Sequence, residues 1–350
     1  MVEIIFVVLM FAPIILLMLF ANLTQQARVQ SGEPNAGQGW SITAHVILAI
    51  SFALMLMGGV LLMLLGLLAG SAQPGEMPGI SEEEARMAMG ILENAVLIGL
   101  SLAVPALGGF LLQIPAIRRL LTKPLPLDAD NPVHTFALIA SMFIWVNFFF
   151  TLSVGLETLA NTEGLEQATS IPTLWAQQLT FFALALIGVG WLTRRDWRQA
   201  FQRLGLERPT GRQWGMGILA GFGLVLFAHG ASYLGEWLGF PIDPTVDQLT
   251  EQLLAPLFGS VLGILTLGLS AALGEEALFR GALQPRFGLL LTTVLFTVVH
   301  SNYGLSLSTL VVFFVGLALG LIRIRHNTTT AMIVHAVYNM SLGVLVYLGG

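Results

Sequence analysis

The chain has 350 residues, 55% apolar and 10% charged, with a mean hydropathy of +0.81 and a formal net charge of −5. These values exclude an ordinary soluble domain and describe an integral membrane protein. The absence of cysteine excludes disulfides, thiolate metal sites, cysteine nucleophiles and thiol lipidation, and no nucleic-acid partner is expected.

Read in chain order, ten apolar runs are candidate spans of a bilayer core ~30 Å thick. They are Ile4 to Phe20, Ala44 to Leu68, Ile91 to Ile114, Thr135 to Leu156, Leu174 to Leu192, Trp214 to Leu234, Pro256 to Leu273, Gly288 to Val299, Leu305 to Ile322 and Ala331 to Leu348. The expected fold is all-α, a polytopic transmembrane helical bundle of about ten spans. The first run has no Lys or Arg before it and no small-x-small site after Phe20, so a retained anchor is expected rather than a cleaved signal. Pro105 is expected to kink the third span. Gly217-x-x-x-Gly221 and Gly316-x-x-x-Gly320 provide for close helix packing.

Charge alternates between loops. One set holds Arg28; Arg118, Arg119 and Lys123; Arg194, Arg195, Arg198, Arg203, Arg208 and Arg212; Arg280 and Arg286; Arg323 and Arg325. The other holds Arg86 with Glu76, Glu82 to Glu84, Glu157, Glu163, Glu166, Glu236, Asp243, Asp247 and Glu251. The positive-inside rule makes the first set cytoplasmic and puts both termini outside. The segment Thr193 to Leu206 sets Trp197, Phe201 and Leu204 at helical spacing among arginines, as in a short interfacial helix. Three parts are expected: residues 1–192 with about five spans, a basic cytoplasmic loop at 193–213, and a distal helical core at 214–350.

Ionisable side chains inside a span are costly and mark a function or a pairing. Three clusters stand out: Glu275, Glu276 and Arg280; Phe296-Thr-Val-Val-His300; and His335-Ala-Val-Tyr-Asn339. Glu276 and Arg280 stand four apart, the spacing of a helical ion pair, while Glu275 points about 100° away. A turn near Gln284 to Gly288, with Pro285 and Gly288 as its turn residues, would bring Glu275 and His300 to one depth, each ~18 Å from the turn. His335 and Asn339 share one helix face, although their depth of ~8 to 10 Å matches only if the turn projects beyond the hydrocarbon. His229 has no acidic neighbour at helical distance and reads as a satisfied core histidine. His45, His134 and His326 lie near interfaces or in loops, and Glu93 and Asn147 read as packing or headgroup contacts.

The ordered set Glu275-Glu276-x-x-x-Arg280-Gly281, Phe296-x-x-x-His300 and His335-x-x-x-Asn339 resembles the CPBP family of intramembrane proteases, which includes type II CAAX prenyl endopeptidases and bacterial Abi-type proteins. The resemblance covers about Val261 to Val346. It implies that Glu275 and His300 activate a water, that Glu276 and Arg280 brace the helix, and that His335 and Asn339 stabilise the oxyanion of an attacked peptide carbonyl. The chemistry is coherent, since a carboxylate and an imidazole can take a proton from attacking water and donors aimed at an oxyanion are worth several kcal/mol in a dry site. The substrate implied is a membrane-associated protein or peptide, and the setting a bacterial cytoplasmic membrane; prenylation of the substrate does not follow from the motifs. A glutamate and two histidines also resemble an open zinc site, whose ligands would be Glu275, His300 and His335, but the His-Glu-x-x-His helix is absent and a metal-free reaction is preferred. Two rivals remain, a transporter and a non-catalytic membrane scaffold or immunity factor of the same fold. The first should carry ionisable residues on several other spans, and the second is suspected when a motif residue is missing.

Overall fold

The computed structural model describes residues 2–69, 94–161 and 170–349. The acidic loop with Glu76, Glu82 to Glu84 and Arg86 lies outside them, as do Glu93, Glu163 and Glu166. Among the described residues the regular structure is helical, and nine helices are long and apolar enough to cross a membrane. The first half comprises α1 (Val2–Ser31), α2 (Gln38–Ala69), α3 (Ala95–Gln113), α4 (Pro115–Thr122), α5 (Pro132–Ala140), α6 (Met142–Val154), α7 (Leu156–Ala160) and α8 (Ile171–Gly188). Pro105 sits inside α3 without ending it.

The second half comprises α9 (Trp197–Leu204), α10 (Gly211–Trp237), α11 (Pro244–Phe258), α12 (Val261–Glu275), a π-helical segment (Glu276–Leu283), α13 (Gln284–Val299), a 3₁₀ turn (Ser301–Tyr303), α14 (Leu307–Arg325) and α15 (Thr328–Gly349). The seventh span begins later than the hydropathy pattern predicts. Ser260 is extended, and its hydroxyl accepts the Gly263 N–H at 3.0 Å, so it caps a fresh helix. Pro256 therefore belongs to α11 and not to the span.

The 39-residue apolar stretch Val261–Val299 is not one straight helix. Straight winding from Glu275 to His300 would separate them by ~37 Å, whereas their side chains lie 4.0 Å apart. The chain reverses at Gly288, whose φ of 76° and ψ of 172° belong to a region that only glycine occupies readily. This hairpin supplies two arms, so the nine long helices agree with about ten spans.

The hairpin is held from both sides. Phe279, Phe287, Leu295 and Phe296 share a buried cluster with Leu48 and Phe52 of α2 and Phe136 of α5. On the other side, Ala277 packs with Ala200 and Leu204 of α9 and with Ala185 and Leu186 of α8. The short basic helix that the sequence predicts is therefore present, capped by a reciprocal Asp196–Gln199 box, and it lays its apolar face on protein as well as exposing Trp197. The Gly-x-x-x-Gly pairs serve close helix packing as expected: a Cβ on Gly217 would meet the Ile333 side chain of α15 at 2.7 Å, and one on Gly316 would meet the Phe296 ring at 2.9 Å.

Gly288→Ala is expected to destabilise the protein by about 1–3 kcal/mol, the cost of forcing a side chain into that backbone region. Unfolding of purified protein in micelles, compared with wild type, reads this directly.

Candidate functional site

Where α12 passes into the π-helical segment, the two adjacent glutamates take different neighbours. Glu275 faces α8 and the end of α13. Gln178 of α8 donates from Nε2 to Glu275 Oε1 at 3.0 Å, and His300 Nε2 stands 4.0 Å from Glu275 Oε2. Glu276 faces the opposite way, with Arg280 Nη1 at 3.3 Å and His335 Nδ1 at 2.9 Å from its Oε1.

Access divides the two groups. The side chains of Glu276 and Arg280 are 0% and 1% exposed, whereas those of Glu275 and His300 are 13% and 26% exposed. Arg280 also donates from Nη2 to the Gly316 carbonyl at 3.2 Å and holds its guanidinium 4.0 Å above the Phe296 ring, while its Nη1 and Glu276 Oε2 make no hydrogen bond among the described residues. Phe296 also lies 4.8 Å from the His300 ring and 6.2 Å from the His335 ring, so one aromatic wall touches both motif histidines.

His300 ends α13. Its Nδ1 is 2.8 Å from the Phe296 carbonyl, an acceptor, so this nitrogen carries the proton and Nε2 of the neutral ring is a bare acceptor. Glu275 Oε2 is buried with no hydrogen-bond partner. Two acceptors thus confront each other across a gap too long for a direct bond. The turn after His300 is anchored by Ser301, whose hydroxyl receives Asn147 Nδ2 and Thr151 Oγ1 of α6, each at 3.0 Å. Asn147, isolated in the sequence, is therefore a packing contact.

His335 reaches the hairpin although it lies only two turns into α15. The start of that helix is fixed against the end of α9, where Thr328 donates to the Leu204 carbonyl at 2.5 Å and its N–H to the Gly205 carbonyl at 3.1 Å. The depth mismatch narrows because Thr328 bonds Leu204, which packs on Gly281 well before the reversal at Gly288, and because the π-helical winding advances less per residue than an α-helix. Asn339 follows one turn later, half-buried, and its amide makes no hydrogen bond among the described residues. His229 is satisfied by the Val225 carbonyl at 2.9 Å and His45 by that of Ser41 at 2.8 Å, so both stand apart from the site.

Gln178 carried no signal in the sequence. It is an amide within an unremarkable apolar run, and its approach depends on Gly274, where a Cβ would overlap Gln178. A second tie between the same helices, Trp175 Nε1 to Thr266 Oγ1 at 3.4 Å, keeps α8 along α12. His335 turns its Nδ1 to Glu276, and no three His, Asp or Glu side chains among the described residues gather closely enough to hold a metal ion.

Residues 257–341 match the family described as type II CAAX prenyl endopeptidase Rce1-like, a segment containing every motif residue from Glu275 to Asn339. A 144-residue stretch is 32% identical to an uncharacterized 24.3 kDa protein of Escherichia coli, covering 38% of this chain and 63% of the relative. No solved structure matches the chain.

Glu276→Gln should be far more damaging to the fold than Glu275→Gln. It removes the countercharge of a buried guanidinium, which costs about 3–5 kcal/mol when one partner of such a pair is deleted. Glutamine at 275 still accepts from Gln178 in a more accessible setting. Unfolding midpoints of the two variants in the same detergent test the contrast.

Proposed function

We propose, from the premise that the distal helices belong to the CPBP family of membrane proteases, that this chain hydrolyses a peptide bond of a membrane-associated protein or peptide. The observation that carries the reading is the pair of facing acceptors, Glu275 Oε2 and His300 Nε2, 4.0 Å apart at the less buried edge of the charge cluster. The group that satisfies both is one with two donor hydrogens, and water meets that requirement while keeping a lone pair for attack.

In the proposed reaction the water oxygen bonds to the scissile carbonyl carbon and the carbonyl π electrons move to oxygen. Glu275 accepts a water proton as the bond forms. The oxyanion accepts hydrogen bonds from Asn339 Nδ2 and His335 Nε2. For His335 this requires a proton on Nε2. That state arises either when the ring carries both protons and donates Nδ1–H to the Glu276 carboxylate, or when Glu276 itself carries the proton between them. Collapse reforms the carbonyl and breaks the C–N bond, Glu275 passes its proton to the departing nitrogen, and the remaining water proton leaves by way of His300 Nε2. Gln178, by occupying Glu275 Oε1, leaves Oε2 as the base. Every step uses side chains of this chain alone.

The basic loops support a cytoplasmic orientation for Arg118, Arg194 to Arg212 and Arg323, with both termini outside. The complete motif set favours catalysis over a non-catalytic scaffold.

Glu275→Gln or His300→Ala is expected to lower turnover by about 10²–10⁴-fold, the usual contribution of a general base, and Asn339→Ala by about 10²–10³-fold, that of one oxyanion donor. The test is a proteome-wide comparison of membrane-protein termini in cells carrying wild type or Glu275→Gln. Termini that depend on the carboxylate support the reading; none, from a variant that inserts normally, ends it.

A further inference from the structure

On the face bearing the basic loops, Arg194, Arg195 and Arg203 line a cavity of about 680 Å³. The same three arginines border a smaller, more enclosed cavity of about 70 Å³, together with Arg286, His134 and Asn131. Arg286 comes from the hairpin just before Gly288, Arg203 from α9, and Arg194 and Arg195 from the loop after α8, so three separate segments aim cations at one small space.

No carboxylate pairs with these cations among the described residues. Arg194 donates from Nε and Nη2 to Asn22 Oδ1 at 3.1 and 2.6 Å, Arg203 from Nη1 to the Gly281 carbonyl at 3.3 Å, and Arg195 to the Val189 carbonyl. All three acceptors are neutral, and each guanidinium has five N–H donors. The Arg286 side chain makes no hydrogen bond among the described residues. The nearby acids are engaged elsewhere: Asp196 caps α9, and Asp128 accepts the Asp130 N–H at 2.9 Å. Asn131 Oδ1 caps α5, and His134 Nδ1 accepts the Asp128 N–H at 3.1 Å, so the neutral ring keeps a donor on Nε2. The wall is rich in donors and poor in acceptors.

The electrostatics follow. Burial first, and then the charges of Arg286, Arg195, Arg323 and Arg194, lower the pKa of Arg203 to about 10; burial, Arg195 and Arg286 lower that of Arg194 to about 10. Four half-buried guanidiniums left to repel one another oppose folding unless an anion joins them. A tetrahedral oxyanion with several acceptor oxygens suits converging arginine forks.

We infer that this arginine cluster is a binding site for a phosphate group, carried either by an acidic phospholipid headgroup or by a free anion. The site is separate from the glutamate–histidine cluster and does not depend on the proteolytic reading. Its geometric link to that cluster is the hairpin: Arg203 holds the Gly281 carbonyl, which Pro285, lacking an N–H, cannot bond four residues on, and Arg286 sits two residues before the reversal.

The test uses the full chain, stripped of lipid in a neutral detergent. Thermal unfolding is followed against sodium phosphate, with chloride at matched ionic strength as control, and separately against phosphatidylglycerol, with phosphatidylcholine as control. Wild type should show a saturable rise in midpoint, and Arg286→Gln should half-saturate at a concentration at least fivefold higher. Without anion, Arg286→Gln should unfold no earlier than wild type, because it loses repulsion and no partner; Arg195→Gln serves as a second variant for the ligand response. A response to phosphatidylglycerol identifies the lipid headgroup as a source, and a response to phosphate alone identifies the free anion. The inference is overturned if chloride and phosphatidylcholine give equal shifts, if Arg286→Gln keeps the wild-type half-saturation, or if its anion-free midpoint falls.

Discussion

The buried contact of Glu276 with Arg280 and His335 is the constraint on which the rest of the site depends. A guanidinium 1% exposed within a helical bundle has no water to solvate it, and its desolvation is tolerable only if a carboxylate, a carbonyl and an aromatic face replace that water. Glu276, the Gly316 carbonyl and Phe296 provide these. Because the partners come from the hairpin, α14 and α15, satisfying one charge locks three elements at a common depth. Glu275, the next residue back, is then directed toward His300 and Gln178.

This division of labour between adjacent glutamates has a helical origin. Residues four apart share a face and residues one apart do not, so a Glu-Glu-x-x-x-Arg run can commit one acid to an interior ion pair and free the other. The π-helical segment beginning at Glu276 loosens the winding just where the roles divide, a feature often found at functional sites.

The first five spans, which the family match does not reach, bear on the site by packing. α2 and α5 wall the hairpin with Phe52 and Phe136, α6 anchors the turn after His300 through Ser301, and α8 brings Gln178 to Glu275. The N-terminal part thus holds and completes a site whose titratable groups all lie in the distal part. On the basic face, the same hairpin meets α9 and the arginine cluster, so the element that carries the glutamates also lines an electropositive cavity through Ala282 and Arg286.

The all-α membrane class, the approximate spans, the Glu276–Arg280 pair and the return of His300 to Glu275 were legible in the sequence. Each follows from local rules: apolar length against bilayer thickness, i,i+4 spacing, and equal arm lengths about a Pro/Gly turn. Tertiary structure alone decided that Glu276 receives His335, that Gln178 occupies one oxygen of Glu275, that Asn147 supports the turn at Ser301, and that four arginines from three segments converge. Those pairings join residues up to 154 positions apart, and they depend on which helix faces which. Periodicity within one helix gives the direction of a side chain about its own axis and carries no information on the neighbour that waits there.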